Sequence, residues 1–95
     1  MAVGRAERWV ERKPRVVAVF GDDAETLQAV QHLLELLELA WHDVYREITP
    51  SQVIVDEVLL CSRGTLGGLV EAARLAVLDR RDLHMWAASL RAAQE

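Results

Sequence analysis

The sequence predicts a mainly α-helical fold: a short N-terminal strand, then a long helix and two or three further helices in an elongated bundle. Two observations indicate this fold. Residues 23–47 contain neither Gly nor Pro, and their apolar residues recur at alternating steps of three and four. Residues 69–93 also lack Gly and Pro and are rich in Ala and Leu. The alternative is an α+β fold of order β-α-β-α, because residues 53–60 also suit a buried strand.

The chain is predicted to consist of a basic N-terminal arm, residues 1–14, and a single helical domain, residues 15–95. The first 20 residues carry five basic and two acidic side chains, whereas the whole chain has a formal net charge of −4. After Pro14, residues 15–20 are mostly β-branched and apolar and are closed by Gly21, which predicts a strand. A lone strand cannot satisfy its own backbone groups, so we expect it to pair with a second copy.

The long helix is predicted from Asp23, a good N-cap residue, to about Glu47. Its apolar stripe consists of Leu27, Val30, Leu34, Leu37, Trp41, Val44 and Ile48. A helix of about 25 residues is roughly 37 Å long. A compact chain of this size has a diameter of about 32 Å. The stripe therefore predicts either an elongated bundle or a homodimer in which a second copy covers part of it.

The next helix is predicted from Pro50 to about Ser62, with Thr49 as its N-cap. For residues 53–60 the strand remains an alternative to the helix. Gly64 is typical of a helix end.

Thr65 is the predicted N-cap of a final helical segment over residues 65–94. The charged residues 79–82 leave two alternatives for that segment, one long kinked helix or two helices, of which the single helix is favoured.

The stretch SRGTL, residues 62–66, resembles the turn and the start of the recognition helix in TetR-type helix-turn-helix regulators, and the resemblance spans residues 52–69. It implies a DNA-binding transcriptional regulator. The chain departs from that pattern at Asp56, where those motifs have a small residue, and at Leu60, where they have glycine. Because of these departures, a DNA-binding regulator is the alternative prediction, and binding to nucleic acid is not expected to be the main function.

Two groups of residues are candidates for metal binding or catalysis. His32, Glu35, Glu38 and His42 follow each other at steps of three, three and four, a spacing that metal sites in helical bundles also use. They lie opposite the apolar stripe, so we expect a solvated face and neither a metal nor a cofactor. Cys61 could act as a nucleophile only with His42 or His84 beside it as a base. Nothing in the sequence requires either histidine to lie near Cys61. We therefore expect a non-enzymatic protein.

Four residues are predicted to bind a partner: Trp9, Arg12, Trp41 and Trp86. Tryptophan and arginine are enriched among residues that dominate binding energy at interfaces. A single cysteine indicates a reducing, cytoplasmic setting, and ten Arg against one Lys are typical of a GC-rich bacterial genome. No segment is apolar enough to predict a membrane span. The sequence thus predicts a cytoplasmic homodimer that acts as a protein-interaction or regulatory module.

Overall fold

The structure is a computed structural model that describes residues 4–94. These residues form five α-helices: α1 (Arg5–Phe20), α2 (Ala24–Tyr45), α3 (Gln52–Ser62), α4 (Leu66–Leu78) and α5 (Arg80–Gln94). The prediction of a mainly α fold is confirmed, and the α+β alternative is not supported because residues 4–94 contain no strand. The bundle measures 38 × 32 × 22 Å along its principal axes.

The predicted strand at residues 15–20 is wrong, because these residues form the C-terminal part of α1. The predicted boundary of the basic arm at residue 14 therefore falls inside a helix. Arg12 and Val16, four residues apart on one helical face, are both buried. This tertiary packing overrides the β propensity of the valines. Pro14 is exposed inside α1, where it removes the backbone hydrogen bond to the carbonyl of Val10.

Helix α2 begins where the sequence predicts, because a side-chain oxygen of Asp23 accepts the Thr26 N–H at 3.0 Å. The apolar stripe is buried from Leu27 to Trp41, whereas Val44 and Ile48 are exposed. With 22 residues, α2 is about 33 Å long and fits within the longest dimension of the bundle. Neither helix length nor an unpaired strand therefore requires a second copy.

Helix α3 confirms the helical interpretation of residues 53–60, but its predicted N-cap is wrong. The cap is Ser51, whose hydroxyl accepts the Ile54 N–H at 3.4 Å. The hydroxyl of Thr49 instead donates to the Glu38 carboxylate at 2.8 Å. Thr49 therefore ties the loop between α2 and α3 to α2 and does not start a helix.

The turn between α3 and α4 is tight. Gly64 has a φ of 77°, in the left-handed region that favours glycine. The predicted N-cap of α4 is confirmed, because Thr65 Oγ1 accepts the Gly68 N–H at 3.0 Å. A Cβ at Gly68 would lie 2.2 Å from the carbonyl oxygen of Ser62. Glycine at position 68 therefore lets the start of α4 lie against the end of α3.

Residues 65–94 form two helices, so the favoured single helix is wrong. Asp79 has extended backbone angles, and its Oδ1 accepts the N–H groups of Arg81 at 3.0 Å and Asp82 at 3.3 Å. An aspartate that satisfies the first donors of a new helix favours the break. The break lets α5 pack back on α3 and α4, where Leu83 and Ala87 are fully buried.

The five helices share one hydrophobic core, to which α1 contributes Val16 and α5 contributes Leu83 and Ala87. Most of the remaining core residues come from α2, α3 and α4. Within the described residues, no helix combines the length and the apolar character that a membrane span requires.

Candidate functional site

The three predicted tryptophans lie in or against the core. Trp41 is 1% exposed, and its indole N–H donates to Glu47 Oε1 at 2.9 Å. Its ring is tilted against Tyr45, with the centroids 4.2 Å apart. Trp9 and Trp86 are half-buried and pack against the core. Trp41 is thus a core residue, and only the other two tryptophans keep a partly accessible surface.

The fourth predicted residue, Arg12, is buried and makes its contacts inside the chain. Its Nη1 lies 3.3 Å from Glu38 Oε2, and its Nη2 donates to Thr49 Oγ1 at 2.8 Å. Arg8 also donates to the Glu38 carboxylate. Burial lowers the pKa of Arg12, although the Glu38 charge opposes this effect. We call Arg8, Arg12, Glu38 and Thr49 the α1–α2 ion-pair network, because its contacts join α1 to α2 and to the loop that follows α2.

The candidate metal-binding face of α2 does not act as one site, because its residues contact different partners. Glu38 is buried rather than solvated, because α1 covers this side of α2. Glu35 Oε2 lies 3.9 Å from Arg5 Nη1, and His42 Nδ1 lies 3.1 Å from the Glu47 carbonyl oxygen. Residues 4–94 contain no group of three or more His, Cys, Asp or Glu that could hold a metal ion.

Cys61 is a buried free thiol. Burial raises its pKa to about 11, and the negative charge of Glu57 acts in the same direction. A nucleophilic cysteine needs a lowered pKa and access to its substrate. Cys61 has neither property in this structure.

An exposed apolar groove runs between α2 and α4, with a volume of about 350 Å³. Leu36 and Leu78 are exposed to 60% and 64%, and Val70 to 47%. The groove is lined by Leu33, Leu36, Leu37, Ala40, Val70, Ala73, Arg74, Val77 and Leu78. Its lining thus contains one charged side chain, and we call it the α2/α4 groove.

Sequence reasoning missed the α2/α4 groove, although a signal was present. On α2, Leu33, Leu36 and Ala40 form a second apolar stripe beside the buried one. On α4, Leu66, Val70, Ala73 and Val77 recur at steps of four, three and four. The periodicity of apolar residues identifies such stripes, but it does not show whether another helix covers them. Only the structure shows that both stripes are exposed.

A second concave feature, which we call the α3/α5 pocket, has a volume of about 530 Å³. Its lining combines apolar, acidic and basic side chains: Trp41, Glu47, Ser51, Val53, Ile54, Glu57, Arg80, Arg81, His84 and Met85. Glu57 is 1% exposed, and its Oε2 lies 2.6 Å from His84 Nδ1 and 3.9 Å from Arg91 Nη1. Glu57 was not singled out from the sequence, although it lies three residues from Ile54 and four from Cys61 on the inward face of α3.

Comparisons of the chain with known protein families, curated proteins and solved structures found no match.

Proposed function

We propose that this chain is a non-enzymatic protein-interaction module that forms a homodimer through the α2/α4 groove. The observation that carries the proposal is the exposure of Leu36, Val70 and Leu78 around one groove with a single charged lining residue. Contiguous exposed apolar surface on a small protein is typical of an interaction site. The dimer is thus inferred from this exposed surface and not from a strand or from the length of α2.

The shape of the groove favours a second copy as its occupant. Ala40 and Ala73 line it with short, half-buried side chains, whereas Leu36 and Leu78 are largely exposed at the same surface. A twofold interface brings the same patch of both copies together, so the patch must be complementary to itself. Long leucines beside short alanines meet that requirement, because a leucine of one copy can pack over an alanine of the other.

Charge complementarity favours the same occupant. Arg74 lines the groove, and Glu71 lies three residues earlier on the exposed part of α4. Neither side chain forms an ion pair within residues 4–94. An antiparallel pairing of two α4 helices can bring Arg74 of one copy to Glu71 of the other, twice in each dimer.

Sedimentation equilibrium from about 1 µM to about 1 mM tests the proposal. We expect a dimer of twice the 10.7 kDa chain mass, and we expect Val70→Asp to shift the equilibrium to the monomer. Val10→Asp is the matched control, because Val10 is 70% exposed on α1 and lies outside the groove. A wild-type monomer at every concentration, or equal effects of both substitutions, would contradict the proposal.

A charge exchange tests the orientation of the two copies. Glu71→Arg and Arg74→Glu each place like charges at the proposed contact, so each single variant should dimerise at least about fivefold more weakly at low salt. The double variant restores both pairs and should recover most of the loss. Additive losses in the double variant would exclude this antiparallel contact.

The helix-turn-helix alternative is less well supported, although α3 and α4 are joined by a short turn over residues 63–65. Outside the turn, the exposed side of α4 presents Leu66, Gly67, Val70, Glu71 and Arg74. Major-groove recognition needs several hydrogen-bond donors and acceptors, and an acidic chain is repelled by phosphates. Retarded migration of duplex DNA at low salt, lost in Arg63→Ala, would favour the alternative.

A further inference from the structure

The α3/α5 pocket is separate from the α2/α4 groove and combines a concave shape with convergent polar groups. Its volume of about 530 Å³ lies within the range of about 300–1,000 Å³ that is typical of small-molecule sites. We propose that this pocket binds a small organic carboxylate with an apolar body. The proposal does not depend on dimer formation, because the two surfaces share no lining residue.

The apolar part of the lining accounts for the body of the ligand. Val53 and Met85 are exposed to 61% and 67%, although both line a concave surface. Ile54 of the same lining is half-buried, whereas Trp41 lies beneath this surface with 1% exposure. An aryl or alkyl group that entered the pocket would cover this apolar surface, which favours binding.

The basic part of the lining accounts for the carboxylate. Arg81 lines the pocket and forms no ion pair within residues 4–94. The guanidinium carbon of Arg80 lies 4.9 Å from the centroid of the Tyr45 ring, which holds this arginine beside the pocket. The Tyr45 hydroxyl is in turn fixed, because it donates to the carbonyl oxygen of Ala76 at 3.0 Å. The planar guanidinium of Arg81 presents paired N–H donors that match the two oxygens of a carboxylate.

The buried Glu57 carboxylate determines how the ligand is oriented. It already has partners, with His84 Nδ1 at 2.6 Å and Arg91 Nη1 at 3.9 Å. A second carboxylate beside it would be repelled. The ligand therefore places its apolar body toward Val53 and Ile54 and its carboxylate at Arg81. An amine ligand is disfavoured because the arginines would repel it and because both carboxylates of the lining already have hydrogen-bond partners, Glu57 with His84 and Glu47 with the Trp41 indole N–H.

Three probes that share a phenyl group and a four-carbon chain but differ in the charge of their terminal group test the proposal: 4-phenylbutyrate, 4-phenylbutanol and 4-phenylbutylamine. Each is titrated into ¹⁵N-labelled full-length protein up to about 10 mM while amide and indole resonances are followed by NMR. We expect 4-phenylbutyrate to bind most tightly and to shift the signals of the Trp41 indole, His84 and Met85. The neutral alcohol should bind at least about fivefold more weakly, and the amine more weakly still.

Variants complete the test. Arg81→Gln should weaken 4-phenylbutyrate binding about tenfold, the equivalent of losing one charge-assisted contact. Arg5→Gln is the matched control, since it removes an exposed arginine of α1 that lines neither the pocket nor the α2/α4 groove, and it should leave the affinity unchanged. The proposal is overturned if none of the probes shifts these signals, if the amine or the alcohol binds as tightly as the carboxylate, or if both arginine variants behave alike.

Discussion

Arg12 of α1 and Glu38 of α2 form a buried ion pair, with Nη1 of the arginine 3.3 Å from Oε2 of the glutamate. Arg8 and Thr49 bind the same carboxylate oxygen. One carboxylate therefore joins the N-terminal helix, the long helix and the loop that follows it. This contact replaces the exposed basic arm that the composition of the N-terminus indicates.

Removing the charge of Glu38 is expected to destabilise the fold. Glu38→Gln keeps the shape of the side chain but leaves Arg12 buried without its counterion, so we expect a loss of about 3 kcal/mol in the free energy of unfolding. Urea denaturation followed by circular dichroism measures this loss. The control is Glu35→Gln, which removes a carboxylate 3.9 Å from the exposed Arg5 and should cost less than about 1 kcal/mol. Equal losses would show that the network does not hold α1 in place.

The same network predicts a dependence of stability on pH. Burial raises the pKa of Glu38, but the hydrogen bonds from Arg8 and Thr49 and the charge of Arg12 outweigh it, so the pKa lies below its ordinary value of 4.5. The stabilisation is therefore complete above that value and is lost as the pH falls through the lower pKa of the folded protein. The difference in unfolding free energy between wild type and Glu38→Gln should stay constant near neutral pH and shrink below about pH 4.5. A difference that grows in acid would contradict this assignment.

Two adjacent glycines should respond in opposite ways to alanine. In Gly68→Ala the new Cβ would meet the Ser62 carbonyl oxygen at 2.2 Å, so we expect a loss of about 2 kcal/mol or more. In Gly67→Ala the Cβ enters open space on α4, so the higher helix propensity of alanine should stabilise the protein by up to about 1 kcal/mol. Urea denaturation of both variants checks the signs. Stabilisation by Gly68→Ala would show that the turn between α3 and α4 is looser than described.

Cys61 should report unfolding through its reactivity. With a pKa of about 11, the folded thiol forms about 100-fold less thiolate near pH 8 than an ordinary cysteine of pKa 9.0 does. We therefore expect alkylation by iodoacetamide to be at least about 100-fold slower in native protein than in about 8 M urea. Mass spectrometry measures both rates. Similar rates in the two conditions would mean that α3 opens readily in the native state.

The sequence predicted the helices whose signals are local. The spacing from Leu27 to Trp41 identified the buried face of α2, and Thr65 was correctly identified as the N-cap of α4. The strand at residues 15–20 was wrong because local composition could not show that Val16 and Arg12 pack against other helices. Tertiary packing decides such ambiguous segments.

The candidate surfaces were less predictable than the helices. Leu36 and Val70 belong to apolar stripes on α2 and α4, but only the path of the chain after Asp79 decides which side of α4 the last helix covers. Glu57 and His84 are 27 residues apart in the chain and meet only because α5 packs back on α3. A pattern within one helix cannot indicate a contact between two distant helices.

The central claim, a dimer through the α2/α4 groove, is tested most directly by intermolecular NOEs. A sample that mixes ¹³C-labelled and unlabelled copies is measured with an isotope filter, so that only contacts between copies give cross-peaks. We predict cross-peaks among the methyl groups of Leu36, Val70 and Leu78, which are all exposed in the single chain. Cross-peaks that instead involve Val10 or Met85, or no cross-peaks between copies at about 1 mM protein, would contradict the claim.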